Sequence, residues 1–296
     1  MTHDVIIIGG SYAGLSAALP LARARRSLLV VDAGVRRNRF AAFSHGFLTQ
    51  DGAPPDQVAH TGQAQLKAYE TVDWSATPVA QVSGQADAFS VRLQDGTEHT
   101  ARRLVLATGV SDTLPELPGL AERWGRQVFH CPYCHGYELQ QGPVGVLATS
   151  ALSSHQALML PDWGPTTFFL NDVAEPDTDT LAALQARGVT LVSGQVARLE
   201  GDEALQVVMQ DQRRFEMAGL FIATQILPGP LATQLGCEMD TSPMGPFVKT
   251  DALKSTTVPG VFACGDVARP AGSIALAVGD GAMAGAAVHR SLMFGL

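Results

Sequence analysis

With 296 residues, 46% of them apolar, the chain has length for about two domains of ~150 residues and a real interior, which excludes disorder. Only 16% of residues are charged, against ~25% in an average domain, as expected of a compact α/β enzyme with little surface for its volume. The net charge of −8, with no basic block longer than the Arg-Arg pairs at 25–26, 36–37, 102–103 and 213–214, argues against a nucleic-acid partner.

The chain opens on Asp4-Val-Ile-Ile-Ile8, a short apolar strand with no cationic segment before it, which predicts no signal peptide and a cytoplasmic protein. Gly9-Gly10-Ser11-Tyr12-Ala13-Gly14 follows, then an amphipathic helix to about Arg25, then a second apolar strand, Ser27–Val31, ending at Asp32. Strand, glycine turn, helix, strand and acid make a βαβ nucleotide-binding unit. Gly9 permits the tight turn, a small residue at 11 lets backbone approach a pyrophosphate, and Gly14 lets helix pack on strand. The helix N-terminus supplies N–H groups, and Asp32 is placed to accept from a ribose hydroxyl. Ser11 departs from the fingerprint, which wants a second glycine there. The span 73–103 reads as a small β-meander with a turn at Asp95-Gly96, and Leu104–Gly109 as a strand closing on Thr108-Gly109.

The proline-bracketed turn Leu114–Pro118 and the break at 221–230 suit hinges, so a second domain over 117–226 is expected inside a first domain made of 1–116 and 227–296. Within it, Gly142–Ser153 and Thr166–Asn171 repeat the first design: Gly9 to Asp32 and Ala148 to Asn171 both span 23 positions. The three fingerprint positions have become Ala148, Ser150 and Ser153, the acid has become Asn171, and no arginine follows until Arg187. This second nucleotide site reads as vestigial; the open alternative is a nicotinamide nucleotide held in an altered pose. The expected fold class is α/β, with two Rossmann-like βαβ domains, the second inserted in the first.

Phe129-His130-Cys131-Pro132-Tyr133-Cys134-His135 places two thiols three apart at a predicted helix start, where they can close a disulfide and where the helix dipole lowers a thiol pKa. His135 can carry protons near neutral pH. A zinc site competes for the same residues, but Cys237 and Cys264 lie alone about a hundred residues away, so no metal is expected. Cys264 reads as a small core residue, Cys237 as uninvolved, and His130 as structural. Val258–Val267 gives a short strand exposing Asp266, followed by a glycine- and alanine-rich helix over about 272–292; Asp280 and four glycines interrupt residues 271–288, which therefore do not read as a membrane span.

The order Gly9–Gly14, Ala107-Thr108-Gly109, Cys131-Pro-Tyr-Cys134 and Gly260–Asp266 resembles the low-molecular-weight thioredoxin reductase family of flavoproteins over essentially the whole chain. The resemblance implies FAD on the first unit, held by Gly9, Ser11, Tyr12, Ala13, Gly14, Asp32, Asn38, His45, Thr108, Gly109, Gly265, Asp266, Ser273 and Ile274. It implies Cys134 facing the flavin and Cys131 exchanging with substrate, with His135, where the family has aspartate, completing the catalytic set. It also implies a homodimer. The intact glycine fingerprint and basic cluster of the family's nicotinamide domain are missing, so NADPH is doubtful. Cys-Pro-Tyr-Cys-His and the loop Arg37-Asn38…His45-Gly46…Asp51-Gly52 instead resemble the gliotoxin- and holomycin-type dithiol oxidases, which turn a small dithiol into its disulfide and pass electrons through FAD to oxygen. The expected partner is a small dithiol or disulfide, or a thioredoxin-like protein. The rival readings are a disulfide reductase fed by NADPH or ferredoxin, a flavin-based redox sensor, and, for His45, an ordinary loop histidine.

Overall fold

The computed structural model describes residues 2–173 and 175–295. Strands form where the sequence runs are apolar: β1 (Thr2–Ile8), polar only over its first three residues, and β2 (Leu28–Val31), joined by α1 (Tyr12–Arg23), which ends two residues earlier than the periodicity suggests. After a long loop come α2 (Pro55–Lys67), β3 (Val72–Ser75), β4 (Val79–Gln85), β5 (Ala88–Leu93), β6 (Glu98–Leu106) and β7 (Val110–Thr113). The expected meander over 73–103 is only partly formed. β4, β5 and β6 are antiparallel neighbours, but β3 leaves them and pairs parallel with β2, since Val72 and Trp74 pack on the core beneath it.

The intervening stretch carries β8 (Val128–Phe129), α3 (Pro132–His135), β9 (Val144–Leu147), α4 (Leu152–Met159), β10 (Thr166–Phe169), α5 (Thr178–Ala186) and β11 (Thr190–Val192). It continues with β12 (Val196–Glu200), β13 (Leu205–Met209), β14 (Arg214–Met217) and β15 (Gly219–Ile222). Five of these strands make a parallel sheet in the order β11-β10-β9-β15-β8, and β12-β13-β14 form an antiparallel meander. The chain then returns through β16 (Gln225–Pro228), α6 (Leu231–Gln234), β17 (Met239–Ser242), β18 (Gly245–Val248), β19 (Val261–Ala263) and α7 (Ile274–Phe294).

Contacts divide the chain into two compact units, one of residues 1–39, 46–111 and 226–296, the other of 40–45 and 112–225. The second thus recruits six residues from the loop before α2: a side chain at Gly125 would run into Phe40, and His45 Nε2 lies 3.4 Å from Glu138. Its two ends are tied by Thr224 Oγ1 donating to Asp112 at 2.7 Å. In the first unit, β6 serves two partners on one edge, β5 along its first half and β19 along its second, so the sheet is parallel where β3, β2, β1, β6 and β19 end together. Each unit therefore holds five parallel strands with antiparallel strands inserted after an edge strand, β4 and β5 between β3 and β6 in the first and β12–β14 between β11 and β15 in the second, and the β12–β14 meander went unread in the sequence although Gly201-Asp202 marks its first turn.

Helix α7 lies directly on α1. A methyl group at Gly281 or Gly285 would strike the Ala13 or Ala17 carbonyl, so the small residues of this helix serve backbone approach. Val5, Ile7, Leu21, Val105, Phe262 and Val288 are buried between these two helices and the sheet. Cys264 is wholly buried in the same core, and desolvation pushes its thiol up to about 12; Cys237 is buried and also raised. Both are inert packing residues at neutral pH.

Candidate flavin site and redox centre

Beyond the carboxyl ends of β1 and β6, the first unit builds the turn that its glycines require. Gly9 has φ +106°, and a Cβ there would sit 2.2 Å from the Ala107 carbonyl oxygen; a Cβ on Gly14 would sit 1.8 Å from that of Gly9. Neither position tolerates a side chain. Gly10, which the fingerprint does not single out, is equally constrained, because a Cβ would overlap the Trp74 ring and come within 2.7 Å of Asp32 Cβ. The Ser11 side chain does not cap α1, so Ser11, Tyr12, Ala13 and Gly14 present the helix's opening turn without a hydroxyl folded over it.

The other residues of the expected cofactor set gather at this end of the first unit, with one exception. Asn38 donates to Tyr12 Oη at 3.1 Å, and Tyr12 donates to the Pro55 carbonyl at 3.2 Å, tying the long loop to α1. Thr108 and Gly109 follow β6 beside Gly9. Gly265 passes against Ala13 and delivers Asp266, whose Oδ2 accepts from Arg37 at 3.0 Å. Arg37, noted in the sequence only as part of its loop, was not expected to reach Asp266: only the structure brings together residues 229 positions apart. Ser273 caps α7 by accepting from the Leu276 N–H, and Ile274 begins that helix. His45 is the exception, since it belongs to the other unit. The glycine cradle, uncapped helix start and Asp266 fit a dinucleotide such as FAD.

The second unit's turn is built on the corresponding strands, β9 and β10, and closed differently. Gly9 N–H donates to the Val31 carbonyl at 2.8 Å and Ala148 N–H to that of Phe169 at 2.9 Å, so the two turns start alike. Ala148, unlike Gly9, does not have positive φ. Ser153, fully buried in the place of Gly14, accepts from the Thr149 N–H at 3.0 Å and from the Ser150 N–H at 3.4 Å. A hydroxyl from the chain itself thus occupies donors that a phosphate would use. Register also corrects the repeat. Asp32 N–H donates to Ser75 and Leu170 N–H to Val192, both at 2.9 Å, so the counterpart of Asp32 is Leu170 and not Asn171. Asn171 lies one residue further on, with φ +52°, bridging the Ala148 carbonyl and the Val196 N–H through its side chain.

Cys131 and Cys134 flank the opening turn of α3, with Cys131 at the N-cap and Pro132 in the first turn, where its missing N–H costs nothing. Their sulfurs are 2.6 Å apart, so a disulfide of about 2.05 Å closes with little backbone movement. α3 is a single turn, so the dipole it offers a thiolate is that of a few N–H groups, less than the sequence led one to expect. His135 stacks on Phe129 at 4.3 Å between ring centroids. Burial lowers its pKa, opposed by the Cys131 backbone and Glu138 and reinforced by His45, and neither ring nitrogen has a well-formed hydrogen bond. Tyr133 and Tyr137 stand exposed beside the pair. Among the described residues, no three His, Cys, Asp or Glu side chains converge to hold a metal ion, and no helix is long and apolar enough to cross a membrane.

Residues 3–161 and 166–284 match the family model of the pyridine nucleotide-disulphide oxidoreductases. The chain belongs to this family. It is an FAD-binding oxidoreductase of thioredoxin reductase-like type. The thioredoxin reductase sirT of Leptosphaeria maculans is 32% identical, the match covering 97% of this chain and 93% of sirT. An oxidoreductase from Agrobacterium tumefaciens is 54% identical with TM-score 0.96 over 99% of both chains, and HlmI is 38% identical with TM-score 0.92 over 99% of this chain and 93% of its own. These relatives support an FAD-dependent disulfide oxidoreductase acting on a thiol or disulfide.

Proposed function

We propose that this flavoenzyme oxidises a small dithiol to its disulfide through Cys131 and Cys134, with oxygen or another acceptor that is not a pyridine nucleotide taking the electrons in the end. The approach of the two sulfurs to 2.6 Å beside the half-buried His135 carries this reading. A substrate thiolate attacks Cys131 Sγ of the Cys131–Cys134 disulfide, forming a mixed disulfide and releasing Cys134 as thiolate. The second substrate thiolate then attacks the sulfur of the first, forming the substrate disulfide and releasing Cys131. The substrate loses two electrons and two protons, and the cysteine pair gains the two electrons. His135, held neutral by burial, is the base that accepts one substrate proton, and the Cys131 thiolate released in the second step takes up the other. Tyr133 and Tyr137 offer an aromatic surface to a small substrate. FAD, held by Gly9–Gly14, Asp32 and Asp266 in the first unit, supplies two-electron acceptance from the reduced pair. The second unit, with Ser153 over its turn and Leu170 in place of an acid, is a scaffold for the cysteines with no nucleotide of its own.

The test is an anaerobic absorbance titration of the yellow protein with a simple dithiol in one cuvette and NADPH in another. The expected outcome is bleaching by the dithiol alone, reversed by air. Cys134→Ser should retain its FAD and lose dithiol-driven bleaching. Prompt bleaching by NADPH would make the protein a disulfide reductase, and full turnover in Cys134→Ser would remove the cysteine pair from the mechanism.

A further inference from the structure

The helix that opens the vestigial turn reaches the redox centre with its other face. Gln156, on α4 and 7% exposed, donates from Nε2 to the His130 carbonyl at 2.8 Å, while its Oε1 is buried with no hydrogen-bond partner. An unsatisfied buried acceptor is costly, and reversing the amide would set oxygen against oxygen, so the side chain is held there for its donor. The bonded carbonyl belongs to the peptide joining His130 to Cys131. That peptide lies between two supports: β8 makes its last pairing at Phe129, and α3 begins at Pro132, which has no N–H. Rotation of this link would swing Cys131 Sγ away from Cys134, and a shift on the order of 1 Å is enough to spoil reacting geometry.

We infer that Gln156 is a positioning residue for the cysteine pair, clamping the His130–Cys131 peptide so that Cys131 stays within closing distance of Cys134. The inference rests on the redox role proposed above for the pair. It gives α4 a task in place of the nucleotide contact that Ser153 precludes.

The experiment equilibrates the FAD-loaded protein anaerobically in glutathione and glutathione disulfide, quenches with an alkylating agent, and reads the fraction of Cys131–Cys134 disulfide by mass. Two protein thiols become a disulfide as one glutathione disulfide becomes two glutathiones, so turnover and substrate identity do not enter. Gln156→Leu should lower the equilibrium constant for closure about tenfold, equal to about 30 mV for a two-electron couple. Gln156→Glu supplies a control that a purely structural role would not reproduce. Ionised, it cannot donate and should match Gln156→Leu; as pH falls and the carboxyl takes up its proton, it donates again, and closure should return toward the wild-type value at the same pH. A wild-type equilibrium in folded Gln156→Leu overturns the inference, as does a Gln156→Glu curve parallel to wild type at every pH. A wild-type pair that never closes overturns the proposed function as well, which separates the two failures.

Discussion

The two βαβ turns are one design put to opposite uses. Both begin with a backbone bond across the same pair of strands, yet Gly14 leaves the α1 start open, whereas Ser153 folds its hydroxyl over the start of α4. One side chain thus satisfies from within donors that stay open in the first turn, with no change of sheet or strand order. Gln156, three residues after Ser153, shows the helix still constrained, now by the segment it holds.

The comparison breaks most visibly at Gly14. Gly14→Ala should cost about 3 kcal/mol of local overpacking at the turn and weaken FAD binding on the order of 100-fold, seen as colourless protein on purification. Retained FAD would mean that this turn tolerates what Ser153 does in the other. Next in size is Asp266→Asn, which keeps the shape but loses the charged partner of Arg37; FAD affinity measured by flavin fluorescence should fall about tenfold, ~1.4 kcal/mol. Ser153→Ala should destabilise the second unit by about 1 kcal/mol in thermal unfolding and leave FAD affinity untouched. Ser153→Gly reopens the N–H groups, but Leu170 still offers no ribose acceptor, so NADPH should still fail to bleach the flavin. Bleaching in that variant would identify Ser153 as the one barrier.

The smallest effect is expected at His3, buried on β1, where desolvation lowers the imidazole pKa below 6.5, His99 adds to the fall, and Asp73 opposes it. The unfolded chain then binds a proton that the folded chain refuses, so stability falls as pH drops through about 6.5 and below. His3→Gln should flatten that part of a melting-temperature profile.

The first turn was legible because its pattern is set within the turn: a side chain at Gly14 would strike the carbonyl of Gly9, five residues before it. The cysteine pair was legible for the same reason. The identity of Asp32's counterpart was not, because equal spacing in sequence does not fix register, and a one-residue difference in the connection put Leu170 where Asn171 was expected. Arg37 and Gln156 lay beyond reading for another cause. Each acts on a partner far along the chain, Asp266 and His130, and nothing in the local pattern of a loop arginine or a helical glutamine signals this. Phe40–His45 was expected on the cofactor side through His45, and its place in the second unit shows only in its packing against Gly125.

The packing of α7 on α1, and of β19 on β6, sets an order of events on the ribosome. The elements that complete the first unit are made after the second unit, every residue of which exists once Gln225 has been added. Folding of a nascent chain follows what has emerged. The cysteine-bearing unit can therefore form first, leaving the apolar face of α1 and half the edge of β6 uncovered until the final residues appear. A chain stalled or truncated before α7 would expose that surface, and would be recognised as unfinished by whatever cellular machinery surveys sticky nascent chains, before any flavin had a place to bind.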